Sequence, residues 1–353
     1  MFGETKTCVR LAAVPQNLAE SLALAAGIVP TPLLDTFVAL LLAKTIIAAA
    51  SLGIFHALES EPLTIRQIAK RCNTAPRPTA KLVLALVACK YLRRRGASFF
   101  LAPAARRWLS PASPHSLHWA VLHRQLDLRF MDFEEYVRHD KFRDFHSTLT
   151  SDDWALYHRG QADHARQIVD EIAARAPVPR GATDLLDLGG GHGLYALAFC
   201  RRHPRLHARV LDLRVADAHQ PPPFDDAGRR VRFERQDIRC LSLPPASADV
   251  IVLANVVHHF ASPANRDLLH RSGVALRPGG IMVLVDMFRS SPIDRAGQLE
   301  GLLDLYFGAV SGVGLWSLKK VRAWMVAAGL APLPPVSMRR LPFWKMQIAR
   351  KEA

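Results

Sequence analysis

The sequence predicts an α/β fold in which a doubly wound parallel sheet follows a smaller, N-terminal all-helical domain with a winged-helix layout. From residue 179 onward, short apolar runs typical of strands alternate with helical segments, and this alternation specifies a parallel sheet with helices on both faces. The first of these runs ends in a glycine-rich turn at residues 189–193. Between residues 63 and 109, a helix, a turn, a second helix and a hairpin around Gly96 follow one another, as in a winged helix.

The composition is that of an ordinary globular chain. Of its 353 residues, 50% are hydrophobic and 22% are charged, so the chain is long enough for two domains with buried cores. The five cysteines form no C-x-x-C pair, which argues against a disulfide framework and against a zinc site. We therefore expect a cytoplasmic protein without a bound metal.

Two features bear on partners. The net charge of +15 is compatible with nucleic acid or an anionic surface as a partner. However, arginine is spread along the whole chain without a long basic run. The apolar run at 37–55 is long enough to consider as a membrane span, but Lys44 interrupts it and its alanine-rich spacing suits a buried helix. The first residues carry no secretory pattern. We expect neither nucleic acid nor a membrane as a partner.

The predicted segments follow in chain order. Residues 1–30 form an extension that is either disordered or in contact with a partner subunit. Residues 31–112 form the winged-helix domain, whose second helix, at 79–90, is apolar nearly all round; we expect it to be buried against a partner rather than to read DNA. Residues 113–178 form a helical connector, and residues 179–353 form the sheet domain. Strands are predicted there at 184–188, 208–213, 231–236, 249–254, 281–285 and 344–349, with an antiparallel addition at one edge.

The glycine-rich turn predicts a small molecule bound against the main chain. Gly189, Gly191 and Gly193 stand at alternate positions, and only glycine lets a ligand approach the backbone so closely. Residues 191–196 also satisfy the dinucleotide pattern G-x-G-x-x-A, with Asp212 about 20 residues further on. Asp187, just before the turn, would repel a pyrophosphate but attract a cationic amino-acid group. We therefore predict S-adenosylmethionine, with a dinucleotide or a purely structural turn as alternatives.

Acidic residues also end the next two strands, Asp212 the second and Asp237 the third. Ligands of open α/β sheets lie outside the carboxyl ends of the strands. Asp187 is then predicted to hold the ammonium group, Asp212 the ribose hydroxyls and Asp237 the adenine amino group, with Ile238 against the ring. Taken singly, each aspartate could instead be a helix cap or a turn residue. Leu213 and Asn255 complete the predicted cofactor-binding set.

Two histidines follow the fourth strand, where an acceptor would meet the donated group. A phenol is a poor nucleophile while protonated, and a histidine can remove its proton. His258 is the predicted base, and Asp286, at the end of the next strand, is predicted to hold its tautomer. For His259 we expect a packing role, with capping or ligand binding as alternatives.

These segments resemble the two-domain small-molecule O-methyltransferases, the group that contains caffeate, hydroxyindole and bacterial polyketide enzymes. The resemblance covers nearly the whole chain from about residue 35, and its motifs lie at 157–164, 187–193, 212–213, 249–258 and 276–280. It implies a Rossmann-like methyltransferase sheet and a dimerisation domain. A homodimer is predicted because the helix at 33–55 and the apolar faces of the winged helix leave more apolar surface than a small domain can cover. The resemblance also implies that His258 is the general base and that Asp286 replaces a flanking glutamate. The acceptor pocket would be lined by Met131, Tyr157, Gln161, Tyr306 and Phe307.

The chain departs from this family at two points. His259 and Phe260 stand where the family has aspartate and tryptophan, and the second flanking carboxylate expected near Leu315 is missing. The preferred hypothesis is methyl transfer from S-adenosylmethionine to a hydroxyl of a small aromatic or polyketide-like acceptor. One alternative is C-methylation of an enolisable keto acid, with His258 or His259 binding a metal. The other is a non-catalytic DNA-binding regulator on the same fold.

Overall fold

A computed structural model describes residues 12–213, 226–290 and 296–352. These residues divide into two compact units, one up to Gln125 and one from Leu126 onward. The predicted segment boundaries at residues 30, 112 and 178 stay predictions.

The N-terminal unit is mainly helical and contains a small antiparallel sheet. Strands β1 (Leu63–Thr64), β2 (Leu92–Arg95) and β3 (Ser98–Leu101) pair in the order β1-β3-β2. The side chain of Thr64 caps the helix that follows β1, since its hydroxyl accepts a hydrogen bond from the Gln67 N–H. The helices are α1 (Leu18–Ala25), α2 (Thr31–Leu33), α3 (Ala39–Ser51), α4 (Ile54–Ala57), α5 (Ile65–Arg71), α6 (Pro76–Ala88) and α7 (Pro103–Trp108), and a π-helical turn (Leu34–Val38) joins α2 to α3. Helix α8 (His118–Phe130) begins in this unit and continues past its last residue, Gln125.

Three expectations for this unit can be compared with the structure. Helix α1 lies within the extension, for which no element was predicted. The continuous helix Thr31–Ser51 is long and apolar enough to cross a membrane, with a mean hydropathy of 2.0, and only 17% of its most apolar window is buried within this chain. On α6 only the face that carries Thr79, Val83 and Leu86 is buried, so burial of its other faces against a partner stays a prediction.

The C-terminal unit contains an eight-stranded sheet. Its path is β10-β11-β8-β7-β4-β5-β6, and β9 also pairs with β11. Strands β4 to β8 run parallel, while β9, β10 and β11 add antiparallel strands at one edge, which confirms the predicted architecture. The strands are β4 (Asp184–Leu188), β5 (His207–Asp212), β6 (Val231–Arg235), β7 (Ala248–Ala254), β8 (Leu276–Met287), β9 (Leu330–Pro332), β10 (Val336–Ser337) and β11 (Trp344–Lys351).

Helices cover both faces of this sheet because alternate strand residues point in opposite directions. Leu185 and Leu186 of β4 thus belong to two different apolar clusters, one on each face. The carboxyl ends of the parallel strands meet at one edge, where the functional residues gather. The helices are α9 (Phe133–His139), α10 (Phe145–Thr148), α11 (Ser151–Ala165), α12 (Val169–Arg175), α13 (Leu194–Arg202), α14 (Asp226–Arg229), α15 (Ser262–Ala275), α16 (Gln298–Ser311) and α17 (Leu318–Ala327), with a 3₁₀ turn at Val257–His259.

Candidate active site

A cavity of about 490 Å³ opens at the carboxyl ends of the parallel strands. The glycine-rich turn after β4 forms one wall, and α10, α11 and the end of α16 form another. Of the predicted cofactor-binding residues, the following line it: Gly189, Gly191, Asp212, Leu213, Asp237, Ile238 and Asn255.

The turn between β4 and α13 requires glycine at Gly193. Its φ of 69° lies in the left-handed region, and a Cβ there would lie 2.5 Å from Cζ of Phe233. A side chain would therefore be strained in the backbone and would collide with β6. Gly193 is thus needed for the turn itself, and it is not among the cavity-lining residues.

Side chains of this chain already bind the backbone N–H groups at the start of α13. The Gly191 N–H donates to Asp212 Oδ2 over 2.9 Å, and the Leu194 N–H donates to His192 Nδ1 over 3.1 Å. The Ala196 N–H donates to Asp187 Oδ2 over 3.3 Å. A pyrophosphate at a helix N-terminus depends on such N–H groups. Their occupation argues against the dinucleotide alternative.

Asp187 lies below the turn rather than on the cavity wall. Its side chain is fully buried, and a Cβ on Gly190 would lie 2.5 Å from its Cγ. Burial raises the pKa of the Asp187 carboxyl to about 7, and the nearby Asp212 adds to the increase, against the hydrogen bond from Ala196. Asp187 therefore does not line the cavity, and its contact with an ammonium group stays a prediction.

Two other predicted cofactor residues have partners within the chain. Both carboxylate oxygens of Asp237 accept hydrogen bonds from the Arg239 guanidinium, at 2.7–3.0 Å. These bonds hold the pKa of Asp237 below its usual value. Asn255 has a left-handed φ of 57°, and its Oδ1 accepts a hydrogen bond from Trp344 Nε1 over 2.8 Å. Both side chains are therefore held in place at the cavity.

The predicted acceptor residues are only partly brought together. Tyr157 and Gln161 line the cavity. Met131, Tyr306 and Phe307 belong instead to an apolar cluster, where Phe307 is buried. The Tyr306 hydroxyl donates to Asp127 Oδ1 over 2.8 Å.

Sequence reasoning missed several residues of this wall. For Phe142, His146 and Trp154 the only signal was the density of aromatic and histidine residues in the connector. His158 lies within the 157–164 motif, and Ser311 on α16 carries no signal in the sequence. The missed lining residues include Phe142, His146, Trp154, His158 and Ser311, and His259 also lines the cavity.

The predicted base and its partner form a buried pair. His258 Nδ1 lies 2.6 Å from Asp286 Oδ1, and both side chains are almost completely buried. A carboxylate can only accept, so Nδ1 carries the proton and Nε2 keeps a lone pair. The His258 ring packs against the rings of His259 and Phe307, with centroid distances of 4.1 Å to each. His258 itself is not among the cavity-lining residues.

The residues of the cavity fit S-adenosylmethionine. Asp212 and Asp237 offer carboxylate oxygens to hydroxyl and amino groups. Oδ1 of Asp187 is buried and has no hydrogen-bond partner among the described residues, and a cationic ligand above the turn would favour the ionised form of this carboxyl. In the described ranges the structure brings together no group of three side chains suited to holding a metal ion. The parallel sheet and the acidic residues at its strand ends are those expected of the S-adenosylmethionine-dependent methyltransferase class.

The chain belongs to the O-methyltransferase family. The O-methyltransferase domain matches residues 131–314, and the O-methyltransferase dimerisation domain matches residues 34–111. The expected cofactor, enzyme class and fold are thereby confirmed.

Individual relatives extend this similarity over most of the chain. Acetylserotonin O-methyltransferase of Mus musculus is 29% identical over 279 residues, covering 72% of each chain. The 3-hydroxy-5-methyl-1-naphthoate 3-O-methyltransferase of Streptomyces sahachiroi is 25% identical over 327 residues, covering 87% of this chain and 91% of the relative. The crystal structure of human N-acetylserotonin methyltransferase with S-adenosylmethionine is similar in fold, with a TM-score of 0.78 at 17% identity, covering 97% of this chain and 100% of that one.

Proposed function

We propose that this enzyme transfers a methyl group to a hydroxyl of a small aromatic or polyketide-like acceptor. The cavity supports an aromatic acceptor, since Phe142, Trp154, Tyr157 and Phe260 line it. The relatives support a hydroxyl as the group that is methylated, since their names describe O-methylation of acetylserotonin and of a hydroxynaphthoate.

In this proposal the strand ends hold the cofactor. Asp212 accepts hydrogen bonds from the ribose hydroxyls, Asp237 accepts one from the adenine amino group, and Ile238 lies against the ring. Gly189, Gly191, Leu213 and Asn255 complete this wall. When bound, S-adenosylmethionine supplies an electrophilic methyl group on a sulfonium ion.

The observation that carries the chemistry is the 2.6 Å hydrogen bond between His258 and Asp286. Asp286 holds the proton on Nδ1 and stabilises the imidazolium that forms when Nε2 accepts the proton of the acceptor hydroxyl. With S-adenosylmethionine bound, the acceptor oxygen would form its bond to the methyl carbon and the carbon–sulfur electron pair would leave with the sulfur. His258 does not line the cavity, so the ring of Phe307, which packs against it, must move aside to admit the acceptor oxygen.

The test is a turnover assay with isotopically labelled S-adenosylmethionine on a panel of phenols. We expect methylated phenols from the wild type, and a fall in kcat of about 10²–10⁴-fold in His258→Asn. His270→Asn, at an exposed site on α15, is the matched control and should retain wild-type kcat. Transfer to amines or carbon but to no hydroxyl would contradict the proposal.

We further propose that the enzyme is a cytoplasmic homodimer. The match to a dimerisation domain and the exposed apolar side chains of the helix Thr31–Ser51 support a partner subunit. The cysteines at 72, 89, 200 and 240 are all unpaired thiols, as is usual in reducing surroundings.

A further inference from the structure

Two histidines that the proposed reaction does not use face the cavity. His146, from α10, and His259, from the 3₁₀ turn after β7, both line it. Their rings meet edge to face, with centroids 4.6 Å apart and an interplanar angle of 88°. Tyr157 of α11 and Ser311 of α16 also contact them. We call these four residues the histidine cluster.

The two ring nitrogens of His259 differ in their partners. Nδ1 lies 2.9 Å from the Ser311 hydroxyl, whereas Nε2 has no hydrogen-bond partner among the described residues and is available to a ligand. A serine hydroxyl can rotate to donate or to accept. If it donates to Nδ1, Nε2 carries the proton and donates; if it accepts from Nδ1, Nε2 accepts. His259 can therefore pair with a carbonyl oxygen or with a hydroxyl.

His146 is held next to it by the packing of its own segment. Its Nε2 lies 3.4 Å from the Tyr157 hydroxyl. Just before it, the Arg143 N–H donates to the Ala309 carbonyl of α16 over 3.2 Å. The ring of Phe142 covers Gly312, where a Cβ would lie 2.5 Å from Phe142 Cε1. The segment is thus bound to α16, which also carries Ser311.

Both histidines of the cluster have a lowered pKa and are therefore neutral imidazoles near pH 7. Burial lowers the pKa of His146 to about 4, although Asp144 opposes this decrease. Burial and the neighbouring His258 and His146 lower the pKa of His259 well below its usual value. Neutral imidazoles offer hydrogen bonds but no charge to offset an anion.

We infer that the histidine cluster is a specificity subsite that binds a second, uncharged oxygen function of the acceptor, a hydroxyl or a carbonyl, apart from the hydroxyl that is methylated. This inference rests on the proposed function, in which His258 receives the proton of the reacting hydroxyl. The rings of His258 and His259 pack at a centroid distance of 4.1 Å. One aromatic acceptor can therefore place one oxygen at each histidine. A site built to hydrogen-bond such a group discriminates against acceptors that lack it.

The experiment compares two probes, 1-naphthol and 1,8-dihydroxynaphthalene, which differ by one hydroxyl. Their dissociation constants are measured by calorimetry in the presence of S-adenosylhomocysteine, so that the readout does not depend on turnover. We expect the wild type to bind the diol about tenfold more tightly, the equivalent of one good hydrogen bond. A third probe, 8-hydroxy-1-naphthoate, should bind no more tightly than 1-naphthol because its carboxylate is charged.

The variants are His259→Leu and Ser311→Ala, with His270→Leu as the exposed control. We expect the preference for the diol to fall to less than threefold in His259→Leu and to an intermediate value in Ser311→Ala. The Ser311→Ala variant removes only a hydroxyl, so it keeps the test valid if His259→Leu does not fold. An undiminished preference in both variants, or equal binding of the two naphthols by the wild type, would overturn the inference.

The turnover assay of the same probes separates this inference from the proposed function. If the enzyme methylates both naphthols and binds them with equal affinity, the subsite is contradicted and the proposed function is not. A preference for the diol without methyl transfer to any hydroxyl would instead overturn the proposed function, and the subsite's role in acceptor choice with it.

Discussion

At the scale of single residues, the His258–Asp286 pair depends on the carboxylate. In Asp286→Asn the amide can donate to Nδ1, which moves the imidazole proton to Nε2 and removes the lone pair that accepts the acceptor's proton. We expect kcat to fall by about 10²-fold or more, with less change in KM. Steady-state kinetics on a phenol will measure both. An Asp286→Asn variant with wild-type kcat would show that catalysis does not need this pair.

The buried Asp187 carboxyl gives the protein a specific dependence on pH. Its pKa of about 7 in the folded protein exceeds its value in the unfolded chain, so between these values the folded state binds more protons. The stability that it contributes is therefore present at low pH and is lost as the pH rises towards 7. The slope is at most about 1.4 kcal/mol per pH unit.

We expect Asp187→Asn to remove this dependence. The difference in unfolding free energy between variant and wild type should shift in favour of the variant by about 2–3 kcal/mol from pH 5 to pH 8. Urea denaturation at the two pH values measures it. A difference that does not change with pH would show that the carboxyl titrates normally in the folded protein.

The position of some site residues, but not of others, could be predicted from the sequence. Asp212 and Asp237 end or follow strands, and the strand ends of a parallel sheet must meet at one edge. Phe307 and Tyr306 lie on α16, and which side of a helix faces a cavity depends on packing that no local pattern encodes. Asp187 was placed at the correct strand end, but its complete burial depends on how the turn folds over it.

At the scale of elements, the close packing of α15 against α17 depends on Gly273. A Cβ at this position would lie 2.5 Å from the Ala328 carbonyl oxygen, a backbone atom that cannot easily move. We expect Gly273→Ala to destabilise the protein by about 1–3 kcal/mol, as measured by thermal or urea unfolding.

Gly301 on α16 provides the matched control. A Cβ there meets nothing within 4 Å, so Gly301→Ala should be neutral or should stabilise the helix by up to about 1 kcal/mol. Equal effects of the two substitutions would show that the α15–α17 contact is looser than the structure has it.

Strands β4 and β7 could be predicted closely because they are mostly buried apolar runs, whereas β6 has no buried residue and was predicted from its pattern alone. The predicted strand at 184–188 coincides with β4, and that at 231–236 exceeds β6 by one residue. Strand β8 begins at Leu276, earlier than the predicted 281, because Leu276 pairs with Ala248 across the sheet. Strands β9 and β10 were not predicted, since two or three residues carry no detectable period.

At the scale of the whole molecule, the exposed apolar face of the helix Thr31–Ser51 points to a second subunit. Phe37 is 63% exposed and Leu41 is 51% exposed. We expect the double variant Phe37→Glu and Leu41→Glu to be monomeric, because buried unpaired carboxylates would oppose association. Sedimentation velocity at micromolar concentration measures the mass.

The helix Thr31–Ser51 is also apolar enough to bind a membrane. Sedimentation of the wild type with phospholipid vesicles therefore serves as the control that distinguishes a membrane-binding helix from a dimer interface. A monomeric wild type that sediments with the vesicles would contradict the proposed homodimer and assign this helix to a membrane.

We propose that this cavity holds S-adenosylmethionine through its acidic strand ends. Calorimetric titration with S-adenosylhomocysteine and with NAD tests this binding most directly. We predict micromolar binding of S-adenosylhomocysteine, no binding of NAD, and at least tenfold weaker S-adenosylhomocysteine binding in Asp212→Ala. Asp267→Ala, on the exposed side of α15, should bind as the wild type does. Binding of NAD, or an unchanged affinity of Asp212→Ala for S-adenosylhomocysteine, would show that the acidic strand ends do not hold S-adenosylmethionine.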